Sequence, residues 1–113
     1  MIGDTIETQT TGPLAGANKW DKGKPSWSLL PLDAMAEVVA VYDLGAAKYG
    51  RDNWAQGMDW HRVYDALQRH ATAFWSGEGR CPVDGQHHLA SVVWAALTLM
   101  AYQKRNLGSD DRG

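Results

Sequence analysis

The sequence has little of several features that would assign it to common classes of protein. It contains one cysteine among 113 residues, so no disulfide can form within the chain, and a reducing compartment such as the cytoplasm is expected. No sign of charge is in large excess: 11 lysines and arginines face 13 acids, for a net charge of −2. This balance gives no basic surface for nucleic acid, so direct nucleic-acid binding is not expected.

A long apolar run is also missing. The longest mostly apolar stretch, residues 89–102, is shorter than the roughly 20 residues of a membrane-spanning helix. Residues 1–10 carry acids and threonines where a signal peptide would have a basic and then an apolar region. We therefore expect a cytoplasmic protein with no membrane partner.

Tryptophan, in contrast, is abundant, with six residues in the chain. So many indole rings must fill a core, an oligomer interface or a pocket for a planar ring. The length predicts a single domain over 1–113, in which we distinguish a flexible arm at 1–18, a helical domain at 19–105 and a polar, frayed tail at 106–113.

Hydrophobic periodicity predicts three helices and hence an all-α, compact helical bundle. The first should run from about Pro31 to Tyr49 and end at Gly50. The second should be capped by Asp59 and end at Gly77. The apolar stripe predicted for the first helix consists of Leu32, Met35, Val39, Tyr42 and Ala46.

The third predicted helix begins after Asp84 and ends near Arg105. It is apolar on nearly every side between Leu89 and Tyr102. Such a helix must be covered on all sides, which three helices of one chain do not easily provide. The sequence therefore predicts a homo-oligomer, a dimer or a tetramer.

Candidate metal ligands and histidines occur at several points along the chain. Asp33 and Glu37 lie four residues apart, so their carboxylates share one helix face and could bind a hard cation such as Mg²⁺ or Mn²⁺. The alternative is a solvated first helical turn, where acids complement the helix dipole. His70 lies on an apolar stripe, where it is either a core residue or part of a site. His88 shares a face with apolar residues and should point inward.

A short basic loop precedes the first helix. Lys22 and Lys24 flank a glycine, and phosphate is a natural ligand for such a loop. Trp20 lies beside it, so a planar base could stack next to bound phosphates. The alternative is a solvated, lysine-rich loop.

Five motifs follow one another along the chain: WDKGKPSWSLLP, GAAKYG, NWAQGMDW, ALQRHATAFWSGE and a histidine that opens an apolar helix. Taken together, they resemble the phage dATP/dGTP diphosphohydrolases, which are MazG-like all-α nucleoside triphosphate pyrophosphohydrolases of the MazZ group. The similarity covers about residues 19 to 102. The chain departs from the family pattern at Ser26, Ser28, Cys81 and Ser91.

The resemblance implies a metal-dependent oligomeric enzyme that hydrolyses dGTP, dATP or both to the monophosphate and pyrophosphate, and so remodels the nucleotide pool in a phage-infected cell. The implied cofactor is Mg²⁺ or Mn²⁺. The predicted site comprises catalytic residues Glu37 and Glu78, metal ligands Asp33, Glu37, Glu78 and His88, and substrate-binding residues Trp20, Lys22, Lys24, Lys48, Tyr49, Asn53, Trp54 and His70. Two alternatives remain: a non-catalytic helical module that binds a nucleotide or protein, and a pyrophosphohydrolase for another, modified nucleotide.

Overall fold

The structure is a computed structural model that describes residues 17–113. Three α-helices dominate this part of the chain, α1 (Leu32–Tyr49), α2 (Trp60–Trp75) and α3 (His88–Arg105), with 3₁₀ turns at Trp27–Leu29 and Trp54–Gln56. The described residues contain isolated β-bridges and no strand. The all-α prediction is confirmed. Within the same residues, none of the helices has the length and apolar character that a membrane crossing requires.

Contacts divide the chain after Leu30 into two compact units. Residues 1–16, which include most of the predicted arm, lie outside the described part. In residues 17–30, the amide of Lys24 donates to the carbonyl of Asp21 at 3.1 Å, and Gly23 adopts a φ of +81°. The basic loop is therefore a tight turn, and glycine is the residue that tolerates this φ without strain.

In the unit from Pro31 onward, α2 and α3 are antiparallel. Trp60, at the start of α2, packs in one core cluster with Tyr102 near the end of α3. At the opposite ends, His70 of α2 contacts His88 of α3. Val63 and Tyr102 are fully buried in this core. The apolar side of α2 therefore faces this core.

The inner face of α1 differs from the predicted stripe. Leu32 and Val39 are more than half exposed, whereas Val38 is buried. Tyr42, four residues after Val38, turns toward α3 and shares a 3.0 Å hydrogen bond with the hydroxyl of Thr98. The other members of the predicted stripe, Met35, Tyr42 and Ala46, are partly buried, so the prediction holds for them. Periodicity misplaced Leu32 and Val39 because α1 carries apolar side chains on more than one face.

The C-terminal tail is not frayed as predicted, and it replaces the predicted cap of α2. Asp59 makes no side-chain capping bond at the N-terminus of α2. Instead, a carboxylate oxygen of Asp111 accepts the backbone N–H of His61 at 3.0 Å. The carbonyl of Leu107 accepts the indole N–H of Trp60 at 3.0 Å. The tail thus accepts hydrogen bonds from free N–H groups at the start of α2 and stabilises the helix as a local cap would.

Candidate active site

The main candidate site is a cavity of about 530 Å³ formed by the second half of α1, the loop after it, α2 and the start of α3. It is large enough for a nucleotide-sized ligand, since small-molecule sites typically span about 300–1,000 Å³. Five of the eight predicted substrate-binding residues line it: Lys48, Tyr49, Asn53, Trp54 and His70. The structure thus brings together residues that are up to 22 positions apart, from 48 to 70.

Trp54 is held in the cavity wall through both its backbone and its ring. Its carbonyl accepts the hydroxyl of the fully buried Tyr102 at 2.6 Å. Its ring meets the edge of Tyr42 at a centroid distance of 5.6 Å and stacks with Tyr102 at 6.4 Å. Both distances lie in the range of favourable aromatic pairs. The wall is therefore a preformed apolar surface beside which a planar base can lie.

Two cations also line this cavity, Lys48 in the last turn of α1 and Arg62 in the first turn of α2. The sequence interpretation included Lys48 and missed Arg62. A signal for Arg62 was present, because Arg62, Ala66 and His70 are spaced four residues apart and share one helix face. Cations at this wall suit an anionic ligand such as a triphosphate.

The predicted histidines and Glu78 form one hydrogen-bonded chain. Nδ1 of His70 lies 2.9 Å from Nδ1 of His88, and Nε2 of His88 lies 2.6 Å from Oε1 of Glu78. His88 was predicted to point inward, and only 4% of its surface is exposed. His70 is half-buried. Both ring nitrogens of His88 are engaged in this arrangement. The metal-binding role implied for Glu78 and His88 stays a prediction.

His70 also experiences the charge of Asp84, which lines the same cavity and was not among the predicted site residues. Burial lowers the pKa of His70, and the nearby His88 ring lowers it further, whereas the Asp84 carboxylate acts in the opposite direction. The lowered pKa favours the neutral form of the His70 ring.

Glu37 is held by an arginine from the loop that joins α2 and α3. Nη1 and Nη2 of Arg80 donate to its two carboxylate oxygens at 3.2 and 2.9 Å. These hydrogen bonds lower the pKa of Glu37. Arg80 also donates to the carbonyl of Gly85 at 3.1 Å, so it ties the loop to α1.

Asp33 and Glu37 line a second cavity, together with His87 at the start of α3. Two carboxylates and an imidazole are suitable ligands for Mg²⁺ or Mn²⁺ in chemical type. Within residues 17–113, the group of three potential ligand side chains that already converge is a different one, namely Asp59, His61 and Asp111 at the docked tail. There His61 and Asp111 are direct hydrogen-bond partners.

The remaining predicted substrate residues, Trp20, Lys22 and Lys24, belong to the unit that precedes Pro31. All three are exposed, and Trp20 exposes 61% of its surface. Their role in substrate binding stays a prediction.

The three helices and the cavity lined by aromatic and cationic side chains define an all-α domain with a cavity of nucleotide size. Comparison with known proteins agrees with this class. The family described as "dATP/dGTP diphosphohydrolase, N-terminal" matches residues 15–112, and the chain belongs to this family.

A relative from Salmonella phage PMBT28, named dATP/dGTP diphosphohydrolase, is 33% identical over 94 residues. The matched region covers 83% of this chain and 32% of the relative, so the chain spans about a third of that protein's length. No solved structure matches.

Proposed function

We propose that this protein hydrolyses purine deoxynucleoside triphosphates, dGTP, dATP or both, to the monophosphate and pyrophosphate. The observation that carries the proposal is the cavity in which Lys48, Tyr49, Asn53, Trp54 and His70 meet. The resemblance implied each of these residues separately, and a shared cavity is what a common substrate requires. The family to which the chain belongs and the name of its phage relative support the same reaction.

The cavity wall divides into parts that suit the parts of a nucleotide. The rings of Trp54 and Tyr49 offer flat apolar surfaces on which a purine can stack, an interaction worth about 1–3 kcal/mol per base in single-stranded nucleic-acid complexes. Lys48 and Arg62 supply positive charge for the phosphates. Stacking accepts any base, so these contacts favour nucleotides over other anions without choosing between guanine and adenine.

Metal dependence is part of this proposal. The residues best suited to hold Mg²⁺ or Mn²⁺ are Glu37 and Asp33, since their carboxylates line one cavity on consecutive turns of α1. A bound ion would neutralise phosphate charge and lower the pKa of water. Both carboxylate oxygens of Glu37 accept hydrogen bonds from Arg80. These bonds must break before Glu37 can bind a metal ion.

Product analysis tests the proposed reaction. The full chain is incubated with each common deoxynucleoside triphosphate and ribonucleoside triphosphate, and with Mg²⁺ or Mn²⁺, and the products are separated. The expected result is monophosphate plus pyrophosphate from dGTP or dATP. Binding without turnover of any triphosphate would refute the reaction and favour a nucleotide-binding module.

Variants of two lysines test whether the cavity is the substrate site. We expect Lys48→Ala to raise KM for the triphosphate by about 10-fold or more, as loss of one charge-assisted contact of about 1.5–3 kcal/mol would produce. Lys104→Ala is the matched control, because Lys104 is exposed near the end of α3 and lines none of the cavities described. Equal KM values for both variants would place the substrate elsewhere.

We also propose that the active form is a homo-oligomer that acts on the nucleotide pool of phage-infected cells. In the described chain, α3 exposes Leu89, Val93 and Met100 by 37–54%, at spacings that place them near one helix face. Exposed apolar stripes of this kind mark association surfaces. Light scattering at micromolar concentration should give a mass of two or four chains of 12.4 kDa. A folded monomer would contradict this.

A further inference from the structure

We propose that the hydroxyl group of Ser91 donates a hydrogen bond to a phosphate oxygen of the ligand that binds in the main cavity. Ser91 is the fourth residue of α3, and it lines this cavity. The proposal rests on the proposed function, since it takes a phosphorylated ligand for granted. It adds a binding residue that the sequence interpretation did not include in the site.

The Ser91 hydroxyl is buried and has no hydrogen-bond partner in the described part of the chain. Only 6% of the surface of Ser91 is exposed, and within residues 17–113 no group donates to its hydroxyl or accepts from it. Two other buried polar side chains of α3 are paired. The hydroxyl of Thr98 bonds to that of Tyr42 at 3.0 Å, and Nε2 of His88 lies 2.6 Å from Oε1 of Glu78.

The position of Ser91 at the cavity wall explains how its hydroxyl can lack a partner. Among residues 17–113, none of the buried side-chain oxygen and nitrogen atoms is both sealed from solvent and unpaired. The Ser91 oxygen therefore keeps some contact with solvent, and the cavity that Ser91 lines supplies it. Such a hydroxyl can bind a ligand atom without first breaking a hydrogen bond within the protein.

Two contacts of α3 locate Ser91 within the cavity wall. His88 and Trp94 lie three residues before and after Ser91, so they are its neighbours on the helix surface. Nδ1 of His88 lies 2.9 Å from Nδ1 of His70 in α2, and the ring of Trp94 lies 6.0 Å from that of Tyr42 in α1. Ser91 therefore lies on the side of α3 that faces both other helices.

The choice of serine at this position is not explained by packing. Alanine has the higher helix propensity, and it would bury no polar group. Ala90 and Ala95 are buried in the same helix, so small apolar side chains fit this part of α3. A buried hydroxyl without a partner costs stability. A residue that lowers stability at the wall of a candidate site is typical of function.

The charges around the cavity favour phosphate as the partner of this hydroxyl. Two cations of the described lining, Lys48 and Arg62, face one carboxylate, that of Asp84. Ser91 also belongs to the first turn of α3, which contains no acid. The helix dipole favours an anion at this end. A hydroxyl that donates to an anionic oxygen forms a stronger bond than one that donates to a neutral oxygen.

Binding of triphosphates that cannot be hydrolysed tests this contact without turnover. The full chain is titrated calorimetrically with the α,β-methylene analogues of dGTP and dATP in the presence of Mg²⁺. Ser91→Ala should raise Kd for the triphosphate analogue that binds by about 10-fold, which corresponds to about 1.4 kcal/mol and to the loss of one hydrogen bond to a charged group.

Ser76→Ala is the matched control for this titration. It removes the same hydroxyl group from a serine that is exposed at the end of α2 and lines none of the cavities described. The Ser76 hydroxyl already donates to the carbonyl of Ala73 at 2.8 Å. Its loss should leave Kd unchanged, and equal Kd values for Ser91→Ala and Ser76→Ala would overturn the proposal.

Deoxynucleosides distinguish phosphate from the sugar and the base as the partner of Ser91. Deoxyguanosine and deoxyadenosine carry no phosphate, so their affinities, measured by competition with the triphosphate analogue, should not be weakened by Ser91→Ala after correction for the changed Kd of the analogue. A loss of affinity as large as that seen for the triphosphate would assign the contact to the sugar or the base and overturn the proposal.

Melting temperatures separate a ligand contact from a structural role of the hydroxyl. Without ligand, Ser91→Ala should unfold at the same temperature as the unmodified protein or at a higher one. The rise in melting temperature caused by the triphosphate analogue should be smaller in Ser91→Ala, because binding is weaker. A lower melting temperature combined with an unchanged rise would show a structural role and refute the contact.

Failure of this proposal can be told apart from failure of the proposed function. If Ser91→Ala weakens binding of the analogues but the unmodified protein hydrolyses no triphosphate, the contact stands and the proposed reaction is wrong. If the protein hydrolyses dGTP or dATP and Ser91→Ala leaves both KM and Kd unchanged, the contact alone is wrong. A protein that neither binds nor hydrolyses a triphosphate refutes both.

Discussion

Gly108 holds the C-terminal tail against the start of α2, and its replacement by alanine should be strongly destabilising. Gly108 has a φ of +70°, and a Cβ built on it would lie 2.2 Å from the carbonyl oxygen of Met58. That distance is far shorter than any real contact, and the obstructing atom belongs to the backbone. Alanine would therefore have to push the tail away from the loop before α2.

The size of the effect can be separated into two parts with a matched control. Gly85 has a φ of +75° and nothing within 4 Å of its virtual Cβ. Both substitutions incur the left-handed backbone strain, about 1–2 kcal/mol per residue. Only Gly108→Ala also disrupts the bonds from Ser109 N–H to Met58 (3.3 Å) and from Trp60 N–H to Ser109 (3.0 Å). Two such bonds contribute about 0.5–1.5 kcal/mol each.

Thermal unfolding followed by circular dichroism measures this difference. Gly108→Ala should unfold with a free energy about 1–3 kcal/mol lower than Gly85→Ala, the sum for two hydrogen bonds. Since 1 kcal/mol corresponds to about 4–8 °C in a domain of this size, the gap in melting temperature should be at least about 4 °C. Equal melting temperatures would show that the tail contributes nothing at this contact.

Three other predictions follow from single contacts. Tyr102→Phe leaves the Trp54 carbonyl without its buried donor, so it should cost about 1–2 kcal/mol of unfolding free energy in denaturant titration and raise KM. A loss of stability without a change in KM would show that the substrate does not depend on this part of the cavity wall. Glu37→Gln should abolish turnover at an unchanged melting temperature. Full activity of this variant at low metal concentration would show that Glu37 is not a metal ligand. The pair with Asp111 raises the pKa of His61 above 6.5 and lowers that of Asp111 below 3.8. The ion pair therefore stabilises the protein fully between about pH 3.8 and pH 6.5, and this stabilisation is lost as pH rises through the raised pKa of His61. The melting temperature of the unmodified protein should exceed that of His61→Gln by a margin that shrinks from about pH 6 to pH 9. A melting-temperature difference that grows over this pH range would contradict a raised pKa of His61.

Local signals predicted the helices well. Pro31 precedes α1, and Gly50 and Gly77 follow α1 and α2. These boundaries were predictable because proline fixes its own φ and glycine adopts a positive φ without strain. Periodicity also placed His88 inward. The substrate residues from Lys48 to His70 came from the resemblance, since nothing local shows that a lysine at a helix end and a histidine on another helix share a cavity.

Contacts between distant residues escaped the sequence interpretation. Arg80 pairs with Glu37 across 43 positions, and Asp111 reaches His61 across 50. The tail looked frayed because its residues are polar, yet they are bound by the free amides at the start of α2. In the sequence, Asp84 marked only the start of the third predicted helix, and its location on the cavity wall is what makes it a candidate for the site.

Because α1, α2 and α3 all contribute to the wall of one cavity, a ligand there contacts parts of the chain that separate on unfolding. Folding and ligand binding are then thermodynamically linked, and a ligand at 100 times its Kd would add about 2.7 kcal/mol to the free energy of unfolding. Melting curves recorded with a panel of nucleotides, including non-hydrolysable triphosphate analogues, would rank affinities for this cavity without any need for turnover.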